Sequence, residues 1–235
     1  MMHMKIGFFT DSHYSSQTVT CGNRYNSKSL EKVKDAYRFF MKENCDLVVC
    51  LGDLIDIEGS HQKEVENLKE IAAVIQNCPI RTVCLMGNHD AFAFTVEEFY
   101  DVLGGCRPEN LYLEGKILLF LDACYYENGM HYMPGDTDYI NTFYPYIQEL
   151  EQCLSSVQGD VYLFLHQNLD INIGNSVYFV NNIEQINTLL GSYPSVKTVY
   201  QGHYHKGKNS VHDGIRYVTF PAMCEHEQAY FIEEL

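Results

Sequence analysis

Short runs of apolar residues alternate along the chain with longer segments in which apolar residues recur every three or four positions. The short runs are typical of buried strands, and the longer segments are typical of helices that lay one apolar face on a sheet. Strands are predicted at residues 5–10, 47–51, 81–86, 117–121, 161–165 and 197–201. Helices are predicted at residues 29–43, 61–76, 95–103, 146–156 and 183–190. This alternation predicts an α/β fold.

The pattern changes after Gly202. Residues 210–218 indicate two strands joined by Asp213-Gly214, a pair that favours a tight hairpin turn, and a last strand is predicted at 229–232. Neither repeats nor a Pro/Ser-rich linker divide the sequence, so we expect a single domain over residues 1–235. Segment 122–146 is long and rich in tyrosine. It is either a lid or cap insertion beside a site, or a cover over the core.

Charge and cysteine content narrow the function classes. The chain carries 16 Lys and Arg against 31 Asp and Glu, a formal net charge of −15, so no nucleic-acid polymer is expected as a partner. Nine scattered cysteines without a CxxC pair indicate small buried hydrophobic residues in a reducing compartment. No signal-peptide core and no run of about eighteen apolar residues is present. We therefore expect a cytoplasmic protein without a membrane partner. The sequence does not predict its oligomeric state.

Polar side chains with metal-binding chemistry directly follow five of the predicted strands. They are Asp11, His13, Asp53, Asn88, His89, Asp90, His166, His203 and His205. Loops at the carboxyl ends of strands in an α/β sheet converge on one crevice, so these side chains should meet. Oxygen and imidazole ligands without thiolate suit Mn, Fe or Zn. The candidate ligands exceed the needs of one ion, which predicts two divalent ions that share a carboxylate.

Five motifs in this order carry a family resemblance. They are Asp11-x-His13, Gly52-Asp53, Gly87-Asn88-His89-Asp90, His166 and Gly202-His203-x-His205. Together they resemble the calcineurin-like metallophosphoesterase superfamily, in particular its small phosphodiesterase-type branch. The resemblance implies a four-layer α/β/β/α sandwich, in which two mixed sheets pack face to face and are flanked by helices. A late hairpin agrees with a second sheet.

The resemblance also implies the role of each motif residue. One metal would be held by Asp11, His13, Asp53 and His205, and the other by Asp53, Asn88, His166 and His203, with Asp53 bridging. A hydroxide between the metals would attack the phosphorus of the ester. By the same resemblance, His89 would protonate the leaving-group oxygen or stabilise the developing charge. Asp90 is expected to accept a hydrogen bond from the other nitrogen of His89 and fix its tautomer.

The substrate is predicted less sharply than the reaction. Arg24, after the first motif, is either a contact for a phosphate oxygen or a solvated loop residue. The favoured function is a phosphodiesterase for a small nucleotide-type phosphate ester. The alternatives are a phosphomonoesterase, a protein phosphatase or a nuclease of the same superfamily, or a scaffold that has lost its metals. Asp56 is expected to be a turn or supporting carboxylate, and Glu225 a solvated side chain.

Overall fold

A computed structural model describes residues 4–17, 19–138 and 143–235, and these ranges contain ten strands and six α-helices. The strands are β1 (Lys5–Phe9), β2 (Leu47–Cys50), β3 (Arg81–Cys84), β4 (Leu111–Leu113), β5 (Lys116–Phe120), β6 (Asp160–Phe164), β7 (Val196–Gln201), β8 (Lys208–His212), β9 (Ile215–Thr219) and β10 (Tyr230–Glu234). The helices are α1 (Ser29–Lys42), α2 (His61–Gln76), α3 (Asn88–Ala93), α4 (Val96–Leu103), α5 (Ile147–Ser156) and α6 (Ile183–Gly191). None of the helices in these ranges is long and apolar enough to cross a membrane.

The strands form two mixed sheets. One has the order β10-β1-β2-β3, in which β1, β2 and β3 are parallel and β10 is antiparallel to β1. The other has the order β4-β5-β6-β7-β9-β8, in which the four central strands are parallel and the two edge strands are antiparallel to their neighbours. Parallel central strands place the carboxyl ends of several strands of each sheet at a common edge.

Side chains alternate in direction along each strand, so each sheet has one face toward the other sheet and one face toward the helices. The two sheets therefore pack face to face. Phe8 of β1 lies in the cluster between the sheets, where its ring is 4.8 Å from Tyr200 of β7. Its neighbour Phe9 points to the opposite face and contacts Tyr37 of α1. On the outer face of the other sheet, Leu163 is buried with Leu150 of α5 and Ile186 of α6. The predicted four-layer sandwich is confirmed.

Two regular elements were not predicted from the sequence. Strand β4 has only three residues and exposes Tyr112 and Leu113, so its apolar run is too short to predict a strand. Helix α3 has six residues, too few to show a helical period, and it begins at Asn88, one of the predicted ligands.

Segment 122–146 is described except for residues 139–142, and the predicted lid residue Tyr139 lies outside the described residues. Tyr132 and Phe143 are fully buried, so this segment packs on the core as a cover. It also reaches the predicted metal site, because the Phe143 ring lies 5.4 Å from that of His203. The lid function and the single-domain interpretation stay predictions.

Candidate dinuclear metal centre

The predicted ligands lie after five strands whose carboxyl ends meet at one edge of the sandwich. Loops after β1, β2 and β3 carry the ligands of one sheet, and loops after β6 and β7 carry those of the other. The backbones of these loops are bonded to one another. Asp11 N–H donates to the Gly52 carbonyl at 3.0 Å, and His13 N–H donates to the Asp53 carbonyl at 2.9 Å. The sequence therefore places these side chains together through sheet topology.

Asp53 stands between two groups of ligand atoms. Its Oδ2 lies 3.4 Å from His13 Nε2 and 3.3 Å from His166 Nε2. The ligand atoms of Asp53, His166 and His203 all lie within 4.8 Å of one another. This arrangement matches the prediction that Asp53 is shared by two metal positions.

The first position also includes Asp11, His13 and His205. Asp11 Oδ1 lies 3.3 Å from His205 Nε2 and 3.7 Å from His13 Nε2, and the two Nε2 atoms are 3.3 Å apart. Two nitrogens that bind one tetrahedral zinc ion at about 2.0–2.1 Å lie roughly 3.3 Å apart. These donors therefore have the spacing of ligands around a common ion.

Unpaired polar atoms provide a further test of whether the residues fit metals. Within the described ranges, buried Asn88 Oδ1 has no hydrogen-bond partner. Asp11 Oδ1 and His166 Nε2 also lack a well-formed hydrogen bond, although each faces another predicted ligand at 3.3 Å. A buried polar atom left unsatisfied costs about 1–3 kcal/mol, and coordination to an ion removes that cost. The donor set fits two divalent ions.

Four of the predicted ligands have unusual backbone conformations. Asp11, His13, Asp53 and His203 have φ of 52°, 41°, 53° and 63°, in the left-handed region that non-glycine residues rarely adopt. Such conformations cost on the order of 1–3 kcal/mol each and cluster at functional sites. The fold therefore holds these four residues in backbone conformations that reduce the stability of the protein.

Two glycines allow the loops to approach closely. Gly52 has φ +107°, and a Cβ atom there would lie 2.7 Å from His166 Nδ1. At Gly87, a Cβ atom would lie 2.1 Å from Asp53 Oδ1. The glycine that precedes each of these motifs is therefore required for the ligands to meet.

Two of the site histidines are strongly basic in the metal-free protein. Burial lowers the pKa of His166, but the carboxylates of Asp53 and Asp11 outweigh it and raise this pKa to about 10. Burial likewise opposes protonation of His205, whose pKa is nevertheless raised to about 9 by hydrogen bonds with Asp11 and Glu225. Both rings are therefore cationic at neutral pH when no metal is bound.

Three other ligands of the centre are already deprotonated at neutral pH, so they can bind a metal without losing a proton. Burial lowers the pKa of His13 to about 4, helped by His89. Burial and the charge of His166 lower the pKa of His203 to about 3. Burial raises the pKa of Asp53, but the surrounding histidines, His166 first, hold it well below its usual range.

Hydrogen bonds orient two of the ligand rings. His166 Nδ1–H donates to the Leu51 carbonyl at 2.7 Å, which leaves Nε2 directed at Asp53. His205 Nδ1 lies 2.5 Å from Glu225 Oε1. The prediction that Glu225 is solvated was wrong, because its carboxylate supports a ligand ring. A contact across 20 residues of chain leaves no local sequence signal.

The support for His89 comes from Asp56, which corrects the prediction made for Asp90. Asp56 Oδ1 lies 3.0 Å from His89 Nδ1. Asp90 instead accepts hydrogen bonds from the backbone N–H groups of Leu54 and Gly87, each at 3.0 Å. It thus joins the loops after β2 and β3, a position set by its place in the first turn of α3. Burial and the charge of Asp53 raise the pKa of Asp90 to about 7.

Arg24 lies in the cleft above the ligands. Its Nη1 is 3.6 Å from Asp56 Oδ1, and its side chain is only 17% exposed, which disagrees with a solvated loop residue. The cleft has a volume of about 280 Å³. Its walls include Arg24, Asp53, His89, His203, His205, Tyr178, Tyr204 and Lys206.

Four residues near the ligands were not predicted to take part in the site. Tyr178, Tyr204 and Lys206 line the cleft, and Tyr204 and Lys206 stand within and directly after the Gly202-His203-x-His205 motif, a signal that could have pointed to them. Cys224 was interpreted as a core residue, yet its sulfur lies within 4.8 Å of ligand nitrogens of His13 and His205. Tyr178 and Cys224, by contrast, reach the centre only through the tertiary structure.

Comparisons with known proteins agree with this geometry. A family model described as calcineurin-like phosphoesterase matches residues 4–207. The chain is 24% identical over 229 residues to a probable cyclic nucleotide phosphodiesterase from Fibrobacter succinogenes, which covers 92% of this chain and 78% of that relative.

Solved structures share the fold at low sequence identity. A dimetal phosphatase from Danio rerio has a TM-score of 0.80 at 16% identity, over 97% of this chain and 91% of that one. A purple acid phosphatase from yellow lupin (Lupinus luteus) seeds has a TM-score of 0.59 at 14% identity, over 93% of this chain and 44% of that one. Since the family model spans most of the sequence and the motif residues meet in one centre, the chain belongs to the calcineurin-like phosphoesterase family and is a metal-dependent phosphoesterase.

Proposed function

We propose that the protein is a phosphodiesterase that hydrolyses a small nucleotide-type substrate and uses two divalent ions of Mn, Fe or Zn. The observation that carries this proposal is the cleft, which combines the shared ligand Asp53, the cation of Arg24 and a tyrosine wall in about 280 Å³. That volume suits a small ester rather than a polymer. Similarity to a probable cyclic nucleotide phosphodiesterase supports the substrate class.

When bound, the two ions supply an activated water and neutralise charge on the phosphate. Arg24 would bind a nonbridging phosphate oxygen, because it faces the centre from the cleft wall. Burial lowers the pKa of Arg24, but the charge of the neighbouring Asp56 carboxylate raises it above its ordinary value. The cation is therefore fixed and permanently charged.

His89 is the proposed proton donor to the leaving oxygen. It lies in the cleft, and its ring is 4.5 Å from the His13 ring. Asp56 pairs with Nδ1, so the proton would pass to the leaving group from Nε2. General acid catalysis of this kind contributes about 10²–10⁴ in rate.

Tyr178 and Tyr204 would bind the organic part of the substrate. Their rings lie 5.0 Å apart in an edge-to-face arrangement, and Tyr178 also contacts the ring of His203. Lys206 also lines the cleft and adds a second cation. An aromatic surface beside the metal ligands suits a nucleoside base, since stacking on aromatic side chains is tolerant of base identity.

The decisive experiment combines metal analysis with a matched substrate pair. The purified protein is tested with a chromogenic phosphodiester and the corresponding monoester in the presence of Mn, and then with cyclic nucleotides. We expect about two ions per chain, a preference for the diester and hydrolysis of a cyclic nucleotide. A preference for the monoester would favour a phosphomonoesterase, and absence of both metal and activity would favour a scaffold.

The cleft residues can be tested with an arginine pair. Arg24→Ala should raise KM for the diester at least tenfold with metal content retained. Arg38→Ala is the matched control, because Arg38 is exposed on α1 and pairs with Asp35. An equal effect of both changes would contradict the proposed contact with phosphate.

We also propose a cytoplasmic location. It is supported by the nine cysteines, all of which lie among the described residues and form no disulfide there.

A further inference from the structure

Cys224 is buried in polar surroundings. Of the six buried cysteines in the part of the chain that the structure describes, five belong to an apolar cluster, whereas Cys224, which is 0% exposed, belongs to neither of the two apolar clusters there. The charged groups near its sulfur include Asp11, Arg24 and Glu225. Burial in an apolar core, the usual reason for a free buried cysteine, does not account for this position.

The backbone of Cys224 is fixed against the loops of the metal centre. Its N–H donates to the Asp11 carbonyl at 3.1 Å, and its carbonyl accepts from Tyr25 N–H at 2.9 Å. The preceding residue, Met223, donates to the Thr10 carbonyl at 3.0 Å. Cys224 is thus joined to the loop that carries Asp11 and to the loop that carries Arg24. A side chain held on both sides in this way has a defined position relative to the ligands.

The sulfur lies close to the first metal position. The ligand atoms of Cys224, His13 and His205 are all within 4.8 Å of one another. Ligands of a tetrahedral zinc ion, with Zn–S at about 2.3 Å and Zn–N at about 2.0–2.1 Å, are separated by less than this. With Asp11, which is 3.3 Å from His205 Nε2, the group supplies four donors of the types that zinc accepts.

We propose that Cys224 is a ligand of the first metal position when that position holds a thiophilic divalent ion such as zinc, together with His13, His205 and Asp11. Manganese prefers oxygen donors and would leave the thiol unused. The position therefore has two donor sets, one with Asp53 and one with Cys224, and the identity of the ion selects between them. This inference rests on the metal centre of the proposed function.

The test uses the full chain, stripped of metal by a chelator. Co²⁺ is titrated into the wild type, Cys224→Ser and Cys21→Ser, and thiolate-to-cobalt charge-transfer absorption is recorded in the near ultraviolet. Cys21 is the matched control, because it lines the same cleft but is exposed. X-ray absorption of the zinc-loaded wild type measures sulfur bound at about 2.3 Å.

We expect the charge-transfer band in the wild type and in Cys21→Ser, and its loss in Cys224→Ser. Zinc affinity should fall about tenfold or more in Cys224→Ser, and manganese affinity should change much less. A band that survives in Cys224→Ser, or a zinc-loaded wild type without bound sulfur, would overturn the proposal. If the serine variant does not fold, the wild-type X-ray measurement decides. Two bound ions without sulfur would refute only the role of Cys224, whereas no bound ion would refute the metal centre as well.

Discussion

Loading the metal-free protein with divalent ions at pH 7 should release about two protons from its side chains. Metals bind neutral imidazole, so each protonated histidine ligand must lose its proton. His166 and His205 have pKa values raised to about 10 and about 9, mainly by the neighbouring carboxylates, and both are protonated at pH 7. His13 and His203, at about 4 and about 3, are already neutral and release none.

The measurement is isothermal titration calorimetry with Mn²⁺ in two buffers of different ionisation enthalpy. The dependence of the observed heat on buffer enthalpy gives the total number of protons released, and the difference between the wild type and a histidine variant gives the share of that side chain. His166→Asn should lower this number by about one, because it removes one cationic ligand. His212→Asn is the control, because His212 lies on the hairpin strand β8, outside the centre, and should leave the number unchanged.

The two protonated histidines also determine how metal affinity depends on pH. Between about pH 5 and pH 8, two ligand protons compete with the ions. The logarithm of the overall association constant for the two ions should therefore rise with a slope close to two per pH unit. The slope should decline as pH passes through about 9 and 10, where His205 and His166 lose their protons without help from a metal. Release of no protons at pH 7, or a slope near zero, would refute the assigned protonation states.

Three further predictions follow from the centre. His89→Asn should lower turnover of a diester with a poor leaving group by about 10²–10⁴ while metal content is retained, whereas loss of both metals or unchanged turnover would exclude the proton-donor role. Gly87→Ala should abolish binding of the ions, as measured by metal analysis, because its Cβ atom would lie 2.1 Å from Asp53 Oδ1. Glu225→Gln should weaken metal affinity about 10–100-fold in a chelator competition, and an unchanged affinity would show that the bond to His205 is dispensable.

The sequence predicted most of the fold and of the ligand set because both have local signals. An apolar run that ends in Gly-Asp or Gly-Asn-His marks a buried strand and its functional loop together, and parallel pairing brings these loops to one edge. The observed β2 ends at Cys50, three residues before Asp53, and β3 ends at Cys84, four residues before Asn88. The short edge strand β4 lacked such a signal, since it pairs with β5 but exposes two of its three side chains.

The surroundings of the ligands were harder to predict, because they depend on contacts between distant parts of the chain. Asp56 rather than Asp90 pairs with His89, a choice that neighbouring positions in the sequence do not reveal. Glu225 and Cys224 reach the centre from a loop after β9 that contains no recognised motif. Sequence patterns thus identify groups that bind metal, whereas the groups that orient and select it emerge only from packing.

The net charge of −15 gives the overall charge of the protein but not the local electrostatic potential in its cleft. In the metal-free centre, the cations of His166 and His205 offset the carboxylates of Asp11 and Asp53. Two divalent ions bring four positive charges and displace about two protons, so loading adds about two positive charges beside Arg24. A small phosphate ester should therefore bind tightly only to the loaded protein. A polyanion would still meet the acidic surface beyond the cleft.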